Sequence, residues 1–183
     1  MLEPGPIALV VTHDGTKANI MTMGFHMMVR HNPPLICCGI GPWDHSLKAL
    51  SKTKQCVVAI PGVDLLERVV DIGNCSGGKP EMVDKFRAFD FTAIDAQRVD
   101  VPLIKECIAN LECRVVDTRL GQKYNMYIME VLAAWRDLEN PEQRMAHHRG
   151  NGIFTVDGTV MDLSERMTKW AGLLSDDEEE DED

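Results

Sequence analysis

The chain has 183 residues, 44% of them hydrophobic, which suits one domain with a sizeable core. No apolar run reaches the roughly 18 residues of a membrane-spanning helix, and no basic-then-apolar secretory signal opens the chain, so the expectation is a cytoplasmic protein without membrane contact. The net charge of −10 is concentrated at one end: of 29 acids, eight fill 176–183, leaving 21 against 19 bases, a near-neutral body that argues against a nucleic-acid surface.

The composition divides the chain into a domain over 1–174 and an acidic, solvated tail over 175–183. Six cysteines, at 37, 38, 56, 75, 107 and 113, lie mostly in apolar runs and form no Cys-x-x-Cys pair. They read as reduced structural residues, and no metal site is expected.

In chain order, the β-branched run 7–12 and the stretch 16–23 flank an Asp14-Gly15 turn and predict a hairpin. Residues 16–23 place two short polar side chains, Asn19 and Thr22, in an otherwise apolar strand, as a wall facing a polar ligand would. Residues 25–29 continue extended, and Pro33-Pro34 stops pairing. Residues 35–40 form a further strand ending at Gly39-Ile40-Gly41-Pro42. Leu47 and Leu50 predict a helix over 47–54, with Asp44 or Ser46 able to cap it, and the amides of its first turn suit an anion.

The run 55–60 is a strand. Residues 63–72 carry Leu65, Leu66, Val69 and Val70 on one stripe, a helix stopped by Gly73. A Gly-rich loop follows over 74–80, then a short helix over 82–89. Residues 91–101 read as irregular and 102–108 as one or two helical turns. The longest strands are 109–120 and 124–135, joined around Gly121-Gln122. Residues 137–152 read as loop, 153–161 as a hairpin around Asp157-Gly158, and 163–174 as a helix. Six or seven strands with short helices between them predict a mainly β protein, an antiparallel, Greek-key-like barrel with helical insertions.

Taken together, Thr16-Lys17-Ala18-Asn19-Ile20-Met21-Thr22, Asn32-Pro33-Pro34-Leu35, His45-Ser46-Leu47, Gly73-Asn74-Cys75-Ser76-Gly77 and Asp84-Lys85-Phe86 resemble the flavin reductase-like family, with flavoredoxins its nearest-looking members. Residues 111–116 and 129–131 resemble the family's later strands. The resemblance implies an FMN-binding split β-barrel and a homodimer with FMN near the subunit interface. It implies that Asn19, Ile20, Met21, Thr22 and Met23 line the isoalloxazine ring, largely through the main chain. His45, Ser46 and Leu47 would meet the phosphate. Cys75, Ser76 and Gly77 would approach from the loop, and Lys85 would add a positive charge near the phosphate or that loop. Many relatives carry a basic residue directly after the Ser-Gly pair, whereas here Lys79 comes one step later.

The residue types suit that chemistry. A phosphate dianion is held by amides, a hydroxyl and a cation. A flat ring packs on Met21, Met23 and Trp43. No catalytic residue is needed where the cofactor carries the hydride. The implied activity is NAD(P)H-dependent flavin reduction, with NADH or NADPH a transient donor. The alternative is a flavoredoxin that exchanges electrons with a protein partner. His147-His148 has no third ligand spaced to make a metal site.

Overall fold

The computed structural model describes residues 5–78 and 84–166. It begins with the expected hairpin: β1 (Ala8–His13) and β2 (Ala18–Met23) pair antiparallel with Thr12 opposite Asn19. The Asp14 carboxylate closes the turn, its Oδ1 accepting from the Thr16 and Lys17 amides at 2.8 and 3.0 Å. Next come β3 (His26–Arg30), β4 (Leu35–Gly39), α1 (Ser46–Thr53) and β5 (Gln55–Ile60). A 3₁₀ turn over Val63–Leu65 leads into α2 (Leu66–Asn74). α3 (Lys85–Ala88) and two-residue strands β6 (Ala93–Ile94) and β7 (Leu103–Ile104) precede the long β8 (Ala109–Asp117). A helical turn, α4 (Gly121–Tyr124), links β8 to β9 (Met126–Arg136), and β10 (Ala146–His148) and β11 (Phe154–Val156) complete the strands.

Seven strands form one antiparallel sheet in the order β2-β1-β5-β8-β9-β4-β3. Its two outermost strands, β2 and β3, are consecutive in the chain, joined only through Gly24-Phe25. A connection that short spans about 10 Å, so the sheet must curl until its edges nearly meet. The result is the expected mainly β, split-barrel fold.

The pleat sends alternate residues to two cores. The barrel interior holds Ala8, Val10, Met23, Cys38, Cys56, Val58, Cys113 and Met129, plugged by Leu50 of α1. Three of the six cysteines sit there as small apolar fillers, and all six are free thiols. Burial pushes the Cys38 thiol well above the ordinary range, and the hydrogen-bonded neighbour Cys113, with burial, does the same for Cys56. These thiols are therefore inert packing groups. The outer face, with Leu9, Val11, Ile20 and Val57, is covered by Val69 and Ile72 of α2, Phe86 of α3, and Phe91, Val101 and Ile104.

Three local expectations are corrected. Residues 102–108 hold β7, not helical turns, because the Asn110 side chain pairs with both the amide and the carbonyl of Ile104, at 2.9 and 3.0 Å, as a neighbouring strand would. Gly73 does not stop α2, which runs to Asn74. It is small because Thr22 packs there, 3.4 Å from where a Cβ would stand. The hairpin near Asp157-Gly158 is instead β10 with β11, Ala146 opposite Val156. Asp157 accepts from the Met145 amide at 2.9 Å and binds His147 at 2.8 Å rather than forming the turn. Ser164–Arg166 forms a 3₁₀ turn, and the rest of the segment expected as the last helix, with the acidic tail and Lys79, lies outside the described residues.

Candidate functional site

Asn19 and Thr22 stand three apart on β2 and so face opposite sides of the sheet. Asn19 faces α1 and donates from Nδ2 to Ser46 Oγ at 2.8 Å, with both residues buried. Thr22 faces α2 and donates from Oγ1 to the Val69 carbonyl at 2.6 Å. The two polar side chains are thus clasps that seat a helix on either face of β2. What β2 offers a ligand is its backbone. The N–H and C=O of one strand residue share an edge and alternate along the strand. The Ile20 carbonyl accepts from Lys85 on the side away from β1, so the main-chain groups of Ile20 and Thr22 point to the free edge of the sheet.

At the start of α1 neither expected cap operates. Asp44 Oδ2 accepts from the Gly41 amide at 2.7 Å, and Ser46 Oγ is engaged by Asn19. The N-cap, His45, makes no side-chain cap bond, and the first turn holds no acid. The helix therefore presents its dipole with no acid in its first turn, although the Leu47 amide is taken by the Asp44 carbonyl at 3.0 Å. Ser46 Oγ, already an acceptor, keeps its own proton to donate. The loop 75–78 closes on this turn so tightly that a Cβ on Gly77 would stand 2.1 Å from Asn19 Oδ1, and one on Gly78 would stand 3.0 Å from His45 Nδ1.

Lys85 lies against the loop, one of the two places expected for it. Its residue is 4% exposed, and Nζ donates to the carbonyls of Ile20, Ile72 and Cys75 at 2.8, 3.2 and 2.5 Å. An ammonium has three protons, so all are committed. Burial lowers its pKa, and nearby Cys75 opposes that shift. Lys85 ties β2, the end of α2 and the loop into one wall and leaves its charge beside the loop. Asp84 caps α3 by accepting from the Arg87 amide at 3.3 Å.

These parts border a trough. Its wider end is a cavity of about 630 Å³ lined by Met21, Met23, Phe25, Gly41, Tyr124 and Met126, among others. Its narrower end, about 210 Å³, reaches Asn19, His45, Ser46, Cys75, Gly77 and Lys85. The two share Met21, Thr22, Trp43 and Asp44. Trp43 is 78% exposed, and its ring lies over Gly41, where a Cβ would come within 2.3 Å of it. Of the residues expected at the site, the narrow end collects Asn19, Met21, Thr22, His45, Ser46, Cys75, Ser76, Gly77 and Lys85, and the wide end adds Met23. Ile20 contributes backbone while its side chain is buried in the outer core, and Leu47 packs on the barrel interior.

Sequence reasoning missed Phe25, Tyr124 and Met126. The Gly39-Ile40-Gly41 spacing was a signal for close approach to Trp43, but nothing local pointed to α4. A larger cavity, about 830 Å³, lies beside α3 and includes Asp84, Asp95 and Asp100 in its lining. Three carboxylates make it a poor place for a phosphate dianion. His147 pairs with Asp157 in the β10–β11 hairpin and borders neither end of the trough. Among the described residues no group of three or more His, Cys, Asp and Glu side chains could hold a metal ion, and no helix is long and apolar enough to cross a membrane.

A family model for the flavin reductase like domain matches residues 1–152. An uncharacterized protein of Archaeoglobus fulgidus is 36% identical over 119 residues, 63% of this chain and 64% of its own length, so the match spans just under two thirds of that relative. The structure of an FMN-binding domain of a flavin reductases-like enzyme from Shewanella baltica superposes with a TM-score of 0.79 at 20% identity, over 86% of this chain and 88% of that one. Flavoredoxin from Methanosarcina acetivorans gives 0.75 at 22% identity over 94% of each chain. At such identities the structural likeness is one of fold, and it agrees with the curled seven-stranded sheet. The motifs from Thr16 to Phe86 and the family match over 1–152 lead to one conclusion: the chain belongs to the flavin reductase-like family.

Proposed function

We propose that this chain is an FMN-binding flavin reductase that draws hydride from NADH or NADPH, with FMN held along the trough. The observation that carries the reading is continuity: one trough joins an uncapped, acid-free helix start to a free strand edge and an apolar wall. These are the needs of a molecule with a dianion at one end and a flat ring at the other. The Ser46 amide, the Ser46 hydroxyl and His45 would hold the phosphate, with Leu47 beside them at the helix start. The Ile20 and Thr22 main chain would meet the polar edge of the ring, with Met21, Met23 and Trp43 along its faces. Cys75, Ser76 and Gly77 would close the narrow end, with Lys85 as the tie that fixes it.

FMN, when bound, supplies the hydride chemistry. The chain binds and orients it, limits water at the narrow end, and aims fixed amide dipoles at the edge where charge develops. The wide end, bordered by Phe25, Trp43 and Tyr124, leaves room for a donor to approach.

A second reading, a flavoredoxin-type carrier that exchanges electrons with a protein, is favoured by the rim itself: Phe25 is 66% exposed and Trp43 78%. The same edge suits a homodimer with the flavin near its interface, since edge strand β3 exposes Met27, Met28 and Val29 beside the trough. Free thiols throughout favour a reducing compartment, the cytoplasm. The domain unit would be 1–174, with 175–183 an appended acidic tail.

An absorbance spectrum of the purified protein, with and without NADH or NADPH, tests the proposal. Flavin bands that bleach on addition of nicotinamide support the reductase. Bands that bleach only with a protein donor support the carrier. A colourless protein that also fails to bind added FMN sinks both.

A further inference from the structure

Across Asn19 and His45 from the narrow end of the trough lies a separate cavity of about 320 Å³. It is lined by Thr12, Lys17, Lys48 and Lys52 as well as those two residues. Lys48 and Lys52 stand one turn apart on α1, an i,i+4 like-charge pair that is unfavourable without an anion between. Lys17 approaches from the β1–β2 turn. Among the described residues none of the three lysines forms an ion pair, although Lys52 Nζ donates to the Asp14 carbonyl at 3.0 Å. The Asp14 carboxylate also borders the cavity, but its Oδ1 is taken by the Thr16 amide and hydroxyl and by the Lys17 amide.

A second observation is independent of the lysines. Thr12 is fully buried, and its Oγ1 is the one buried side-chain polar atom among the described residues without a hydrogen-bond partner. An orphaned hydroxyl is costly in a fold that satisfies its other buried side-chain groups, and this one borders a lysine-lined cavity.

We propose that this cavity is a subsite for a phosphate group beyond the flavin's own: the second phosphate of a dinucleotide, flavin or nicotinamide. The proposal rests on placing the FMN phosphate at the start of α1, since Asn19 and His45 then separate the two phosphate positions. Three lysines and an unpartnered buried hydroxyl in one lining suit a multiply charged oxyanion. The FMN phosphate alone would leave them unused.

The test uses the full chain and three variants, Lys48→Ala, Lys48→Arg and Thr12→Val. The probes are inorganic pyrophosphate by calorimetry, FMN and FAD by flavin fluorescence, and NADPH titrated into the FMN-loaded protein. Lys48→Ala is expected to weaken pyrophosphate and one of the two dinucleotides by about tenfold, with FMN held within about twofold, and Lys48→Arg to restore most of the loss. Which dinucleotide responds identifies the source. Thr12→Val removes an unpartnered hydroxyl, so it should keep or raise the thermal midpoint while weakening the same probes. Equal loss of FMN and FAD would assign the lysines to the flavin's own phosphate and overturn the proposal, as would indifference of pyrophosphate and both dinucleotides to Lys48→Ala. If the wild type binds no flavin yet its pyrophosphate affinity depends on Lys48 and Thr12, the FMN reading fails and the anion subsite stands.

Discussion

Lys85 and Glu112 are buried charges of opposite sign, and both are neutralised by dipoles instead of a counter-ion. Glu112, on β8, is wholly buried. Its carboxylate accepts from the Trp135 indole at 2.7 Å, from the Arg98 amide at 2.5 Å and from the Gln97 amide at 3.1 Å. Lys85 mirrors it with three carbonyls. The difference lies in what they tie together. Glu112 staples the 97–99 segment and β9 to the sheet, away from the trough. Lys85 joins β2, α2 and the loop that form the trough's narrow end. The same device serves architecture in one place and the site in the other.

The largest expected effect follows from Lys85→Met, which removes the cation and leaves three inward carbonyls unpaired. It should cost about 3–5 kcal/mol in denaturant unfolding and weaken FMN, because the wall loses its tie. A variant that lost stability but bound FMN normally would show Lys85 to be as remote from the site as Glu112. Glu112→Gln should cost about 2–3 kcal/mol, since an amide cannot accept from every donor facing it. Its FMN affinity should stay at the wild-type value once measured well below the unfolding midpoint. A parallel loss of FMN would erase the distinction between the two charges.

Acid sharpens the contrast further. Burial pushes Glu112 up, but the Trp135 indole and the Gln97, Arg98 and Val99 amides outweigh it and hold the carboxyl below its ordinary 4.5. A depressed carboxylate stabilises the fold fully above the unfolded-state value and loses that contribution as pH falls through the folded-state one. The gap in unfolding free energy between wild type and Glu112→Gln should therefore be constant above pH 4.5 and shrink below it. The smallest effect is Thr22→Val, which removes one bond to the Val69 carbonyl and should cost about 1 kcal/mol in thermal unfolding.

Much of the scaffold was legible because hydrophobic period and turn chemistry act locally. The β1–β2 hairpin, β4, β5, α1 and the β8–β9 pair all follow from runs and breakers. What was hidden depends on partners distant in sequence. Asn19 and Thr22 are polar for opposite reasons, visible only when α1 and α2 are packed on the two faces of β2. The 102–108 segment becomes a strand because a side chain at 110 supplies its pairing. Lys85 carries the Asp-Lys-Phe signature of the family resemblance, yet its burial depends on carbonyls at 20, 72 and 75 that no sequence window joins. The narrow end was readable from its glycines and its Ser46 turn. The wide end was not, because Phe25, Tyr124 and Met126 meet only when the sheet curls.

That curl has a consequence for how the molecule comes to be made. Gly24-Phe25 joins the two ends of the sheet, so neighbours in the chain are outermost strands on opposite sides of a seam. As the chain emerges from the ribosome, β1–β2 and β3–β4 can each form early as local hairpins. The strand that carries β4 into the sheet is β9, Met126–Arg136, which is synthesised long afterwards. The barrel is therefore a late, high-contact-order event. Until β9 arrives, the apolar ribbon His26–Gly39 has no lasting place in the sheet, and the β2 edge on which the trough depends stands apart from its opposite wall.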